Sequence, residues 1–350
     1  IVAIGYIALN ANTTGSYGVA IGSNALQLNV SGAHNYAIGY GSLKCNQTGS
    51  YSVAIGSYSL NTYNPTTATS WNIGIGYYAL CATTTGTSNV ALGYQALSAN
   101  TIGYGNIALG YQALQSNTSG CNNVAIGYCA LALNTSGNNN FAVGYQALSS
   151  NSSGCNNFAV GYAALYSNTT GNNNFAVGYN ALQQNKYGNH NVAIGYYGLR
   201  NNTTGNNNFA VGCCALGGNT YGNNNIAIGQ DALYVNTASG NTALGHEAAR
   251  ANTSGTGIVA IGYQTLRLST GNNNTGIGHS ALWSNTTGQS NTAVGGTYNA
   301  NPPLYSNTTG NYNSAFGEGA LSSNTTASGG TAVGYQSAYS NTTGIGVTAY

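Results

Sequence analysis

A glycine that closes a short apolar block returns every 17 residues along almost the whole chain, and no other feature limits the fold as tightly. The series runs Gly5, Gly22, Gly39, Gly56, Gly76, Gly93, Gly110, Gly127, Gly144, Gly161, Gly178, Gly195, Gly212, Gly229, Gly245, Gly262, Gly278, Gly295, Gly317 and Gly334. Fifteen of its nineteen steps are 17 residues; the others are 20, 16, 16 and 22. The consensus reads N-N-N-(V/F)-A-(I/V)-G-Y-x-A-L-x-x-N-T-(T/S)-G, with the cleanest copies between Cys121 and Gly229. A fixed period of this size marks a solenoid, so residues 1–350 read as one continuous repeat array rather than the two domains their number would suggest. Ile1 to Ile4 already spell the approach to Gly5, and the anchor after Gly334 would fall one position past Tyr350. Since solenoid ends need polar caps, a segment of a longer chain is expected.

The expected coil is all-β. In the block Val124-Ala125-Ile126 the alternation predicts a strand with Val124 and Ile126 on one buried face and Ala125 on the other. A second short strand is expected over Tyr128 to Leu131. The Asn-Thr-Ser-Gly and Gly-Asn-Asn-Asn stretches are turn chemistry, because Gly and Asn tolerate positive φ and Asn bonds nearby backbone. About twenty coils stacked as parallel strands roughly 4.8 Å apart would make a β-roll roughly 95 Å long. Three apolar side chains per coil, at about 1.5–3 kcal/mol each, fall short of the ~1–2 kcal/mol that ordering each residue costs. Stacking of neighbours, and packing against other chains, is expected to make up the difference, with the small Ala and Gly outward. The 20- and 22-residue steps hold all three prolines (Pro65, Pro302 and Pro303) and predict loop insertions near 61–70 and 298–306, since Pro cannot donate to a ladder.

Composition excludes several classes. Only Lys44, Lys186, Arg200, Arg250 and Arg267 are basic and Asp231, Glu247 and Glu318 acidic, a net +2 with 2% charged residues. Scattered charges of this kind make no nucleic-acid groove, and no apolar run reaches the length of a membrane helix. Seven cysteines (Cys45, Cys81, Cys121, Cys129, Cys155, Cys213 and Cys214) lack CxxC spacing and fit neither a zinc site nor a paired disulfide framework. Cys121 and Cys155 lie two coils apart, too far for a bridge, which leaves the adjacent Cys213-Cys214 as the pair to test for oxidation.

Blocks such as Asn123-Val124-Ala125-Ile126-Gly127 and Asn191-Val192-Ala193-Ile194-Gly195 resemble the head repeat of trimeric autotransporter adhesins, the YadA-like head, over essentially the whole chain. Related repeats occur in fibre proteins of phages and large viruses. The resemblance implies a left-handed parallel β-roll wound as a homotrimer, and an elongated, surface-displayed structural or adhesive rod. This repeat is longer than the family's commonest one by an N-T-T-G turn.

Candidate sites are few. His34, His190, His246 and His279 are the only imidazoles. His246 with Glu247 and Asp231 could make an acid–base or metal group, yet no nucleophile accompanies them, and incidental variation is the favoured reading. Tyr follows the anchor in 12 of 20 units, including Tyr94, Tyr111, Tyr128, Tyr145, Tyr162, Tyr179 and Tyr196. Stacked in register these rings make a ladder, either a sticky stripe for glycans or a packing device, with packing favoured. Asn-x-Ser/Thr triplets at Asn12, Asn29, Asn46, Asn117, Asn134, Asn151, Asn168, Asn202, Asn252, Asn285, Asn307, Asn324 and Asn341 are N-glycosylation sequons. The competing and favoured reading is that these Asn and Thr side chains form polar ladders in a turn the coil requires. Gly74-Ile75-Gly76 and similar triplets are by-products of a glycine-rich chain and lack the context of a nucleotide site.

The expectation is a non-enzymatic structural fibre without cofactor or metal: an extracellular filament, surface appendage or fibre shaft on a cell or virion. Its partner is itself, as a homotrimer or longer filament. An adhesin or host-recognition fibre binding glycans or matrix proteins is the alternative, and an ice-binding solenoid the second.

Overall fold

A computed structural model describes residues 1–65, 69–298 and 301–350. They form two compact units, Ile1–Asn173 and Asn174–Tyr350. The first carries ten short strands, from Val2–Ile4 to Phe158–Val160, and the second eleven, from Phe175–Val177 to Thr348–Ala349. Within each unit the strands pair in parallel with their sequence neighbours in strict register. Val124 lies opposite Phe141, Ala125 opposite Ala142 and Ile126 opposite Val143. Each unit is therefore a parallel β-solenoid with one lap per repeat, as the 17-residue period requires, and the described residues include no helix.

The glycine file explains the invariance of the anchor. Gly110 and Gly127 hold φ near +137° and +133°. A β-carbon on Gly110 would fall 2.5 Å from the carbonyl oxygen of Gly127, and Gly127 and Gly144 press on the next coil in the same way. Only a residue without a side chain lets consecutive coils approach this closely.

The strand faces inward by its small residue, the reverse of the expected polarity. Ala125 is fully buried, whereas Val124 is half-buried and Ile126 exposed. The reason is the thinness of the coil. A β-carbon on Gly198, at the phase of the second alanine, would lie 3.6 Å from Ala193 Cβ at the strand centre. Two methyl groups span the interior there, so the larger side chains must point out. The core of a typical coil is Ala125, Ala130 and Leu131 together with the side chains of Asn123 and Asn134, all fully buried.

Among the described residues the second expected strand is absent: one strand recurs per coil, and Tyr128 to Leu131 is a run of turns. Cys129 and Leu131 both adopt φ of +51°, which no extended segment can hold. The N–H groups of Cys129 and Leu131 still point in opposite directions along the axis. Cys129 N–H donates to Tyr111 O (2.9 Å) and Leu131 N–H to Ala147 O (3.0 Å). The segment makes inter-coil bonds without being a strand, so its apolar alternation resembles one in sequence.

The three consecutive asparagines have three separate roles. In Asn138-Asn139-Asn140, Asn138 Oδ1 accepts from Cys121 N–H (2.7 Å). Asn139 takes the left-handed turn position at φ +56°. Asn140 is buried, and its Nδ2 donates to Gly154 O (2.8 Å) and Asn123 Oδ1 (3.1 Å).

The prolines lie in the coil rather than in protruding loops. Pro303 takes the phase of the second alanine, and its carbonyl accepts from Leu282 N–H at 3.2 Å as Ala130 O does from Leu114 N–H. An alanine here spends its N–H on a long 3.5 Å turn bond, as Ala130 does to Gly127 O, so proline forfeits little. Pro65 is buried in the turn, where its carbonyl accepts from Thr48 Oγ1 (3.2 Å). Of the expected insertions, residues 66–68 and 299–300 lie outside the described residues.

Candidate functional site

Three surface or interior features carry side-chain chemistry: the aromatic stripe, the asparagine ladders and a cluster of charge in the second unit. The stripe follows from register alone. Tyr94, Tyr111, Tyr128, Tyr145 and Tyr162 stack in sequence with centroids 5.0–5.2 Å apart and ring planes within 7°. Tyr77 joins Tyr94 at 5.6 Å, and in the second unit Tyr179 stacks on Tyr196 at 5.3 Å. Because the rings lie face to face along the axis, they cover one another's faces and offer edges and hydroxyls to solvent. A sugar, which binds aromatic side chains through the ring face, meets no open platform on this stripe. The favoured packing reading accounts for the geometry.

The sequon asparagines are inside the molecule. Asn29, Asn46, Asn117, Asn134, Asn151, Asn168, Asn202, Asn252, Asn285, Asn307 and Asn324 are buried, and only Asn12 and Asn341 are partly exposed. Asn134 Nδ2 donates to Asn117 Oδ1 (2.8 Å) and Gly137 O (3.0 Å), while its Oδ1 accepts from Asn151 Nδ2 (2.8 Å). The amide is thus hydrogen-bonded up, down and within its own coil, leaving no nitrogen for a glycan. Outside this turn the first hydroxyl is also engaged: Thr118 Oγ1 donates to Thr135 O (3.0 Å).

The histidines do not converge on a metal or acid–base site. His34 is stacked between Tyr17 (4.9 Å) and Tyr51 (5.0 Å), and His246 and His279 sandwich Tyr263 at 5.2 and 5.0 Å. His190 occupies a turn with φ +57°. Asp231 aligns with Glu247 rather than His246, since the two carboxylates share the positive-φ position after the anchor. Among the described residues no group of three or more His, Cys, Asp or Glu could hold a metal ion. Glu247 instead accepts from Arg267 Nε (2.8 Å) and Gln264 Nε2 (2.7 Å), with Arg250 Nε 3.4 Å from its other oxygen. The hydrogen bond from Arg267 holds the Glu247 carboxyl below its ordinary value.

All seven cysteines are unbridged. Cys213 and Cys214 bring their sulfurs to 3.4 Å. Burial, then the bond with Cys213, pushes the Cys214 thiol up to about 12, so it is a protonated, weak nucleophile at neutral pH.

Compared with models of known protein families the chain finds no match, and no curated protein matches its sequence. No helix among the described residues is long and apolar enough to cross a membrane.

Proposed function

We propose that the chain is a non-enzymatic structural protein, a β-solenoid fibre that associates with copies of itself as a homotrimer and serves as an extracellular filament, surface appendage or fibre shaft on a cell or virion. The YadA-like resemblance of its repeat motivates this reading. The observation that carries it is the division of the coil into a hydrogen-bonded interior and an apolar outer sheet face. Inside, the asparagine amides and backbone groups bond along the axis from coil to coil. Outside, large apolar residues recur on the strands, with Leu92 47%, Ile107 38% and Ile126 36% exposed in the first unit and Phe209 38%, Ile226 42% and Leu244 43% in the second. An apolar strip repeated on every coil is larger than a monomeric surface ordinarily leaves open, and a second and third copy of the same strip would cover it.

Sedimentation equilibrium and negative-stain microscopy of the purified chain test the reading. The expected outcome is a trimer, or longer filaments, at micromolar concentration; a well-folded monomer under native conditions would defeat it.

A further inference from the structure

Cys213 and Cys214 stand on a turn that brings neighbouring side chains together. Successive residues of a strand point to opposite faces, but these two follow the anchor Gly212, and Cys214 takes φ +59°. The same two phases of other coils show the effect with larger groups. Tyr196 and Tyr197 bring their ring centroids to 4.0 Å, and Tyr77 and Tyr78 to 4.5 Å. With cysteine at both positions the sulfurs meet at 3.4 Å. The backbone under them is pinned on both sides: Cys214 N–H donates to Tyr196 O (2.9 Å) in the coil before, and Cys213 O accepts from Asp231 N–H (3.0 Å) in the coil after. Cys213 is exposed and Cys214 partly buried, so the pair is open to a small reagent.

Geometry narrows what such a pair can hold. A disulfide requires its Cα atoms about 4.4–6.8 Å apart, and neighbouring residues offer only about 3.8 Å across a trans peptide. Direct oxidation would therefore strain the turn. A single atom inserted between the sulfurs removes that conflict: two bonds of about 2.3 Å meeting near a right angle span about 3.3 Å, close to the separation already present. Zinc is a poor fit, because it takes four ligands at wide tetrahedral angles, and no third His, Cys, Asp or Glu among the described residues joins the pair. Burial keeps the Cys214 thiol protonated at neutral pH, which further disfavours a cation that must displace the proton. A trivalent arsenical meets both conditions. Its bonds are pyramidal, its affinity is for soft sulfur, and it carries an oxygen that leaves with the protons.

We propose that Cys213 and Cys214 form a dithiol site for trivalent arsenicals. The exposed Cys213 sulfur adds first, and the arsenic it then holds lies beside Cys214, so the second bond closes within one molecule. Two As–S bonds form and the arsenic–oxygen double bond breaks, while the two thiol protons depart with the oxygen as water. Arsenic stays trivalent, so no oxidant or reductant takes part. None of the other five cysteines has a second cysteine beside it in sequence or at the same phase of the next coil. The assignment does not depend on the fibre reading.

Phenylarsine oxide added to the reduced, folded chain tests the site. One equivalent should be taken up at micromolar protein, with two of the seven thiols lost to a thiol assay. Mass spectrometry should map the phenylarsenic group to the peptide that holds Cys213 and Cys214. A small dithiol should reverse the uptake, whereas millimolar glutathione should not. Cys213→Ser and Cys214→Ser should each weaken binding at least about 100-fold, because a single sulfur gains no second bond. Cys45→Ser, which keeps the pair, should bind as wild type does, and circular dichroism establishes that the variants are folded. Uptake that survives in either of the first two variants, or that maps to another cysteine, overturns the proposal. So does a folded chain that takes up none, whatever the same chain does in urea.

Discussion

Gly276 at a strand centre faces Thr265 of the preceding coil so closely that a β-carbon on it would lie 2.5 Å from Thr265 Cγ2. Thr265 occupies the position that Ala130 holds elsewhere, and Gly276 the position of Ala125. The same exchange recurs in the first unit. There Ser59 replaces the alanine and donates to Gly74 O (2.8 Å), and a β-carbon on Gly74 would meet Ser59 Oγ at 2.6 Å. One larger residue on one side of the thin interior is matched by one smaller residue on the other.

Gly276→Ala should therefore destabilise the second unit by about 1–3 kcal/mol through overpacking. Thr265→Ala in the same chain should recover most of that loss, giving a favourable coupling energy in a double-mutant cycle. Denaturant titration of the four proteins measures it. Additive losses would show that the two positions do not share the space.

The anchor glycines should tolerate less. Gly110→Ala places a methyl on the Gly127 carbonyl and forces φ near +137° on a residue that disfavours it. Neither neighbour can be trimmed, because both are backbone. The expected result is a larger loss than Gly276→Ala, seen as a lower denaturation midpoint or rapid proteolysis within the coils next to the substitution, with no rescuing second site among side chains.

These contrasts mark what the sequence made legible. Period, parallel stacking, register and the anchor file all follow from Gly127, Gly144 and Gly161, because a 17-residue repeat with an obligatory glycine leaves one way to stack. Strand polarity did not follow, since alternation shows that Val124 and Ile126 share a face but not which face is inside. That choice depends on interior width, which only the approach of Ala193 to position 198 displays. Leu131 misled for a related reason: alternating peptide directions at positive φ produce a strand-like pattern without an extended chain. Gly74 reads as compositional in the sequence, although its meaning lies in Ser59, fifteen residues away.

The interior amides give a prediction about modification. In protein made by a glycosylating eukaryotic host, peptide mapping of the folded fraction should find Asn117, Asn134, Asn151 and Asn168 bare. Each Nδ2 is already bonded to the asparagine one coil below, and a glycan there would have to break the ladder. Asn134→Ala, which leaves Asn151 Nδ2 and Asn117 Oδ1 each without one partner, should cost about 1–3 kcal/mol. Glycan occupancy at these four positions in well-folded protein would contradict the ladder.

With few charges, the chain has few groups whose titration can affect folding, and the Glu247 carboxyl is displaced downward, first by the hydrogen bond from Arg267. A carboxyl depressed in the folded state binds its proton more readily when unfolded. Its contribution is therefore fully present above the ordinary carboxylate range, about 4.3, and disappears as pH falls through the lower folded value. Wild type should be more stable than Glu247→Gln at pH 7, and the gap should narrow as pH falls below the ordinary carboxylate range. The gap should also shrink in high salt, as expected of a pair near the surface. A difference between the two proteins that stays constant from pH 7 to pH 3 would mean that Glu247 acts through packing, and that its contacts with Arg250 and Arg267 add nothing by charge.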